Sequence, residues 1–185
     1  MVSDWRKFEQ ETLRIQARFD TELESLRLQG ILTQTDMTKV KNQVTVSRNA
    51  LLDTIRRNDL QNEIQEELFA SLIKDYINSI QKIIDDALFK LGEDIFLKYK
   101  FRQVYEKANL YAKERNFSRN QTESLEYFSK GALAYALKML PKQNKWSSNK
   151  AEYQKMINGF AEALQEFVES SQIVVPSISA NMRNP

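Results

Sequence analysis

The sequence predicts an all-α protein: a bundle of about five to six helices with one long central helix and an extended C-terminal tail. Glycine and proline are scarce: the 185 residues include four glycines and three prolines, with neither type between Gly30 and Gly92. A β-rich fold would need turn residues about every 8–12 residues. Apolar side chains also recur at three- and four-residue steps through most of the chain, which is the period of an amphipathic helix.

The first helix is predicted over about residues 3–29, where one apolar stripe is set against a densely charged face. Gly30 follows at the position that favours a left-handed C-terminal cap. Thr33 and Asp36 then have the spacing of a capping box, with Asp in place of the usual Glu or Gln. A second helix is therefore expected to begin at this point.

The third helix, over about residues 60–91, is predicted to be the long central helix. Its apolar positions keep helical spacing throughout, and such a wide apolar face suits burial by several neighbours. Arg56 and Arg57 are typical of a helix C-terminus, and Asn58-Asp59 offers a new N-cap. We therefore prefer two helices in this region, with one continuous helix as the alternative.

Three more helices are predicted after Gly92, which ends or kinks the third. The fourth covers about residues 93–115. The fifth begins at Asn120, where Glu123 completes a box-like N-terminus, and Pro141 closes it. The sixth covers about residues 150–170 after a polar loop.

The domain organisation follows from these helices. Residues 1–170 are expected to form a single helical domain, in which residues 1–92 provide scaffold helices and residues 93–170 provide basic and aromatic helices. Residues 171–185 have no helical period and are predicted to be extended. This tail is expected either to lie along its own bundle or to dock on a partner.

Composition excludes many kinds of chemistry. The chain has no cysteine and no histidine, which removes disulfides, thiol nucleophiles, zinc sites and histidine-based catalysis. Two Ser-x-x-Lys matches lack the companion Ser-Asp-Asn and Lys-Thr-Gly motifs of the enzymes that use this spacing. The adjacent carboxylates Glu66-Glu67 and Asp85-Asp86 point about 100° apart on a helix and cannot form matched acid–base pairs. We therefore expect no enzyme activity, no cofactor and no metal. No run approaches the roughly 20 apolar residues of a membrane span, so a cytoplasmic protein is expected.

Charge is unevenly distributed along the chain. Residues 1–92 have a net charge of −2, whereas residues 93–185 have a net charge of +4. Between Lys98 and Lys155, 13 basic residues are set against five acidic ones, and six of the seven tyrosines fall in the same window. Basic residues neutralise phosphates while aromatic rings stack on bases, so this window is a candidate surface for single-stranded nucleic acid. The candidate residues are Lys98, Lys100, Arg102, Lys107, Lys113, Arg115, Arg119, Lys138, Lys142, Lys145, Trp146 and Lys150.

A solvated helix face and a packed aromatic core explain the same residues, so this interpretation has a structural alternative. The function expected from the sequence is a non-enzymatic helical subunit of a larger protein or nucleoprotein assembly. By fold-level analogy alone, small helical subunits of CRISPR effector complexes and helical nucleocapsid or coat proteins are of this kind. Its partners would be other protein subunits or further copies of itself, with single-stranded DNA or RNA as a candidate ligand. The alternative is a cytosolic interaction protein, such as a chaperone, secretion adaptor or immunity-type binder, without a nucleic-acid role.

Overall fold

The computed structural model describes the backbone of residues 2–3, 5–57, 64–139 and 150–181, and the side chains of residues 5–57, 66–139 and 151–171. Within these ranges the chain forms six helices and one pair of two-residue strands, so the all-helical prediction is confirmed. The helices are α1 (Trp5–Leu28), α2 (Gln34–Arg57), α3 (Glu66–Leu91), α4 (Glu93–Glu114), α5 (Arg119–Met139) and α6 (Lys150–Asn181). The strands β1 (Val2–Ser3) and β2 (Ile64–Gln65) pair antiparallel, with Val2 opposite Gln65 and Ser3 opposite Ile64.

The chain divides into two compact units, residues 1–91 and residues 92–185. The first contains the strand pair with α1, α2 and α3, and the second contains α4, α5 and α6. In each unit every helix packs against the other two, so each unit is a three-helix assembly with its own core. The boundary falls next to Gly92, where the sequence changes from net negative to net positive charge.

The core of the first unit is built from one stripe on each helix. Phe8 is fully buried against Leu52 and Ile55, and its ring meets Phe69 edge-on at a centroid distance of 5.3 Å. Because apolar burial is the main favourable term in folding, these stripes hold the unit together. The other buried apolar residues of the three helices are Ile15, Phe19, Leu23, Leu26, Met37, Val40, Val44, Tyr76, Ile80, Ile84 and Leu88.

One polar side chain lies within this core. Thr12 is fully buried and donates a hydrogen bond of 2.8 Å to the carbonyl of Glu9. Its hydroxyl oxygen also accepts a hydrogen bond of 3.1 Å from Nε of Arg48 on α2. Since an unpaired buried hydroxyl would be costly, these two bonds explain how a threonine is accommodated in the apolar stripe of α1.

The second unit has a core in which α4 contacts both α5 and α6. Phe101 of α4 stacks on Phe160 of α6 at a centroid distance of 4.2 Å. Tyr153, which is fully buried, donates a hydrogen bond of 2.6 Å from its hydroxyl to Oε2 of Glu93 at the start of α4. The Tyr153–Glu93 bond joins the first turns of α4 and α6, and the Phe101–Phe160 stack lies about two turns further along both helices. The buried residues that complete the core are Phe96, Leu97, Tyr99, Ala112, Leu125, Ser129, Ala136, Ile157, Leu164 and Val168.

The connections from α1 to α2 and from α4 to α5 share the same hydrogen-bonding pattern. After α1, Gly30 has a φ of 73° and the amide of Ile31 bonds to the carbonyl of Leu26 at 3.0 Å. After α4, Asn116 has a φ of 56° and the amide of Phe117 bonds to the carbonyl of Ala112 at 3.1 Å. Both are Schellman caps with a left-handed residue, a conformation that glycine and asparagine adopt most readily.

Each of these connections passes directly into an N-terminal capping box. Thr33 Oγ1 accepts a bond of 3.1 Å from the amide of Asp36, whose carboxylate accepts one of 3.3 Å from the amide of Thr33. The Thr33 hydroxyl also donates a bond of 2.7 Å to the Asp36 carboxylate, and this bond together with the one from the Thr33 amide lowers the pKa of Asp36. The second helix therefore begins as predicted. Ser118 and Gln121 form the equivalent box at α5, with reciprocal bonds of 3.2 and 2.8 Å.

The fifth helix thus begins earlier than predicted. Its cap is Ser118 and not Asn120, and the helix starts at Arg119. The physical reason is the Schellman turn, which ends at Phe117 and leaves Ser118 as the first residue able to cap the next helix. The predicted box at Asn120 and Glu123 was therefore wrong by two residues.

The third helix is shorter than predicted. It begins at Glu66 and not near Leu60, because Ile64 and Gln65 direct their backbone hydrogen bonds to β1 and so cannot join the helical ladder. The preferred break between α2 and α3 is confirmed, whereas the proposed cap at Asn58-Asp59 lies outside the described residues. The α3 helix has 26 residues, whereas α1 and α2 in the same unit have 24 each. Its length therefore does not distinguish it, and a single long central helix is not confirmed.

The C-terminal segment differs from its extended prediction. The backbone of α6 continues through residues 171–181 to Asn181, including Pro176, and residues 182–185 lie outside the described residues. Once a helix is nucleated, each further residue other than proline adds one hydrogen bond, so weak helix formers can extend it; Pro176 itself contributes none. Local periodicity does not reveal this effect.

Candidate interaction surface

Two basic residues of α4 predicted to contact nucleic acid are engaged by acidic neighbours on the same helix. Lys98 Nζ lies 3.8 Å from a carboxylate oxygen of Asp94, and Arg102 Nε lies 3.1 Å from one of Glu106. All four side chains are exposed and follow one line along the helix at four-residue spacing. This line has equal numbers of positive and negative charges, so it is a solvated salt-bridge face.

The other lysines of α4 lie elsewhere around the helix. Lys107 follows Lys98 by nine residues, which places it about 180° away. It borders a groove of about 460 Å³ between α4 and α6, whose lining includes Tyr111 and Val168. Lys100 is half-buried and engaged, whereas Lys113 is exposed. The predicted cluster on α4 is therefore distributed around the helix and does not form one basic surface.

The two arginines at the α4–α5 connection are also engaged. The guanidinium carbon of Arg115 lies 3.6 Å from the centroid of the Tyr111 ring, a cation–π contact. Arg119 Nε lies 2.9 Å from a carboxylate oxygen of Glu123 one turn later. Arg115 is half-buried by this arrangement and Arg119 remains exposed.

The second predicted cluster is only partly described. Lys138 is exposed near the C-terminal end of α5. Lys142, Lys145 and Trp146 lie outside the described residues, as does the side chain of Lys150, whose backbone begins α6. Among the described side chains, the exposed cations of the predicted set without an ion pair are Lys107, Lys113 and Lys138.

The tyrosines separate into buried and exposed groups. Tyr99 and Tyr153 are core residues, and burial and the hydrogen bond to Glu93 raise the pKa of Tyr153 well above its usual value. Tyr105 is half-buried, and its pKa is raised by burial and by the nearby charge of Glu126. By contrast, Tyr127 is 83% exposed and Tyr135 is 68% exposed.

Tyr127, Phe128 and Tyr135 form what we call the α5 aromatic face. Tyr127 lies about 180° around the helix from the buried residues Leu125 and Ala136, and Phe128 and Tyr135 lie about 60–100° from them on one flank. Phe128 is the partly covered member, since it stacks on Phe167 of α6 at a centroid distance of 5.5 Å. This surface was not predicted from the sequence. The sequence does contain a signal for it, because these aromatic residues are out of phase with the apolar residues that form the buried stripe of α5.

A shallow depression of about 830 Å³ lies along this face. Tyr127, Phe128, Gly131 and Phe167 are among its lining residues, so most of its wall is apolar. A Cβ added at Gly131 would meet no atom within 4 Å, which shows that the middle of the face is open. On the same helix, Lys130 Nζ lies 2.8 Å from a carboxylate oxygen of Glu126, and this bond raises the pKa of the lysine.

Within the described part of the chain, no three acidic side chains come close enough together to hold a metal ion. No helix in the same ranges combines the length and apolar character needed to cross a bilayer.

Comparisons with known proteins do not assign the chain to a family: no family model, curated protein or solved structure matches it significantly.

Proposed function

We propose that this chain is a non-enzymatic helical subunit of a larger cytoplasmic assembly and that it binds a protein partner through the α5 aromatic face. The observation that carries the proposal is the exposure of Tyr127 and Tyr135 on one side of one helix. Tyrosine is enriched at protein interfaces because its ring supplies a large apolar area while its hydroxyl tolerates water before binding.

Burying a large apolar side chain contributes about 1.5–3 kcal/mol. Two exposed tyrosines and the partly covered Phe128 therefore provide a cluster of the size that dominates many interfaces. Gly131 and the depression beside Phe128 add the concave shape into which a partner side chain can pack.

The charges around this face favour a protein over a nucleic acid. Arg119 pairs with Glu123 and Lys130 pairs with Glu126, so two of the three basic residues of α5 are balanced by neighbouring carboxylates. A phosphate backbone would meet these carboxylates as well as the cations, which weakens its attraction. A protein surface of mixed charge suits such a rim.

Affinity purification from the native organism tests the proposal. The wild-type chain and a Tyr127→Ala/Tyr135→Ala variant are captured in parallel, and co-purifying proteins are quantified by mass spectrometry. We expect at least one protein to be lost specifically with the double variant. Leu110→Ala, which removes an exposed apolar side chain from α4, serves as the control. If every co-purifying protein is retained at wild-type levels by the double variant, the aromatic face is not the binding surface.

Nucleic-acid binding is the second candidate, favoured by three lysines of the predicted set that are exposed and have no ion pair among the described residues. Lys107, Lys113 and Lys138 are free to approach phosphates, whereas Lys98 and Arg102 are engaged with carboxylates. Fluorescence anisotropy with single-stranded DNA and RNA at two salt concentrations is the test. A salt-dependent affinity that falls in a triple Lys→Gln variant of the three lysines would support this candidate. Absence of binding at low salt would argue against it for the isolated chain.

A further inference from the structure

We propose that the partner of the α5 aromatic face is a second copy of this chain, with the two α5 helices crossing antiparallel beside Gly131. This inference rests on the proposed function, since it names the partner of the same surface. The inference goes beyond the proposed function because it specifies the symmetry of the dimer, the register of the two helices and the residues that contact each other.

The aromatic residues are placed symmetrically about Gly131. Tyr127 precedes it by four residues and Tyr135 follows it by four, which is an axial separation of about 6 Å on either side. A two-fold axis beside Gly131 therefore brings Tyr127 of one copy level with Tyr135 of the second copy, and the reverse. A two-fold interface requires such self-complementarity, because residue i of the first copy contacts residue j of the second, and residue j of the first copy contacts residue i of the second.

Helix geometry allows these residues to pack closely. Positions four residues apart form one inclined ridge, and here the ridge runs through Glu123, Tyr127, Gly131, Tyr135 and Met139. Helices that cross at about −50° place two such ridges side by side. The missing side chain at Gly131, where nothing lies within 4 Å of the Cβ position, lets the helix axes approach at the crossing point.

Charge complementarity favours the same register. Glu123 lies eight residues before Gly131 and Lys138 lies seven residues after it. In the antiparallel arrangement Glu123 is within one residue of being level with Lys138 of the second copy. Both side chains are exposed, and Glu123 already pairs with Arg119 of its own helix, so the symmetric contacts would add Lys138 of the second copy as a further cation beside Glu123 at each end of the aromatic region. A parallel arrangement would instead align glutamate with glutamate and lysine with lysine.

The oligomeric state of the full chain is the first measurement. Sedimentation equilibrium over a series of concentrations is expected to show a monomer–dimer equilibrium for the wild type and a monomer for Tyr127→Ala/Tyr135→Ala. Leu110→Ala is expected to dimerise like the wild type. Circular dichroism and thermal unfolding confirm that the variants remain folded.

A charge exchange tests the register. Glu123→Lys and Lys138→Glu are each expected to raise the dimer dissociation constant about tenfold, because each places like charges together at both ends. The double variant restores opposite charges and is expected to recover close to wild-type affinity. A structural effect of either substitution would not be rescued in this way.

The absence of cysteine allows a direct test of the crossing point. Gly131→Cys carries the only thiol in each chain, and oxidation with copper phenanthroline and oxygen joins two thiols whose Cα atoms are about 4–7 Å apart. A disulfide-linked dimer on non-reducing gels is expected for Gly131→Cys and not for Leu110→Cys.

The outcomes separate the inference from the proposed function. A wild-type chain that stays monomeric at the highest soluble concentration overturns the inference; the proposed function then still stands if affinity purification loses a different protein with the tyrosine variant. A dimer that neither the tyrosine nor the charge variants weaken also overturns it, because another surface must form that dimer. Loss of dimerisation in the tyrosine variant, together with rescue by the charge exchange, supports both proposals.

Discussion

The hydrogen bond between Tyr153 and Glu93 gives the most sharply defined stability prediction. The tyrosine is fully buried in the core of the second unit, and its hydroxyl donates at 2.6 Å to Oε2 of Glu93 in the first turn of α4. Tyr153→Phe removes the hydroxyl alone, because the ring keeps its edge contact with Phe96 at a centroid distance of 6.2 Å. The variant therefore isolates the bond from the packing.

The magnitude follows from the surroundings of the two groups. Hydrogen bonds to charged partners contribute about 1.5–3 kcal/mol to folding. Since Glu93 is only half-buried, water can solvate its carboxylate when the hydroxyl is removed, and we expect a loss near the lower limit, about 1.5 kcal/mol. Tyr153→Ala also empties the ring site and is expected to cost about 3–5 kcal/mol.

Urea unfolding followed by circular dichroism at 222 nm measures these losses. Tyr135→Phe is the matched control, because its hydroxyl belongs to an exposed side chain and its removal should change the unfolding free energy by less than about 0.5 kcal/mol. Equal stabilities for Tyr153→Phe and Tyr135→Phe would refute the reasoning. So would a loss in Tyr153→Phe as large as that in Tyr153→Ala, because packing would then depend on the hydroxyl.

Three further predictions concern pH, capping and packing. Burial and the hydrogen bond to Glu93 raise the pKa of Tyr153 above the usual 10.0. The stability that the neutral hydroxyl contributes is therefore complete below pH 10 and is lost at higher pH. In urea unfolding at a series of pH values, the free energy of unfolding of Tyr153→Phe should fall less steeply above pH 10 than that of the wild type. Thr33→Ala should cost about 1 kcal/mol in the same assay because it removes the N-cap of α2, whereas Thr35→Ala should be nearly neutral. Leu88→Ala should cost about 2–5 kcal/mol by leaving a cavity in a fully buried site, and a thermal midpoint equal to that of exposed Leu28→Ala would contradict this.

Much of the helical organisation could be predicted because its signals are local. Gly30 marks the end of α1, and Thr33 with Asp36 marks the start of α2, since caps depend on residues within one turn. The start of α3 could not be predicted, because it depends on the pairing of residues 64–65 with residues 2–3, some 60 positions away in the sequence. Long-range pairing leaves no trace in helical periodicity.

The candidate surface shows a different limit. Summing charges over a window identified basic residues, but the pairing of Lys98 with Asp94 and of Arg102 with Glu106 could have been read from their four-residue spacing. The exposure of Tyr127 and Tyr135 was harder to anticipate, because aromatic residues at helical spacing are compatible with a core. Only the position of the buried stripe of α5 shows whether these tyrosines lie in the core or on the surface.

The paired Schellman caps and capping boxes have a consequence for folding kinetics. Because all of their hydrogen bonds join residues close in sequence, the α1–α2 and α4–α5 hairpins can form before any distant contact, on the microsecond scale of local helical structure. The slower step is then expected to be the docking of α3 onto the first hairpin and of α6 onto the second, since each follows a longer connection. Substitutions in the two turns should therefore slow refolding, whereas truncations of buried α3 and α6 side chains should mainly accelerate unfolding.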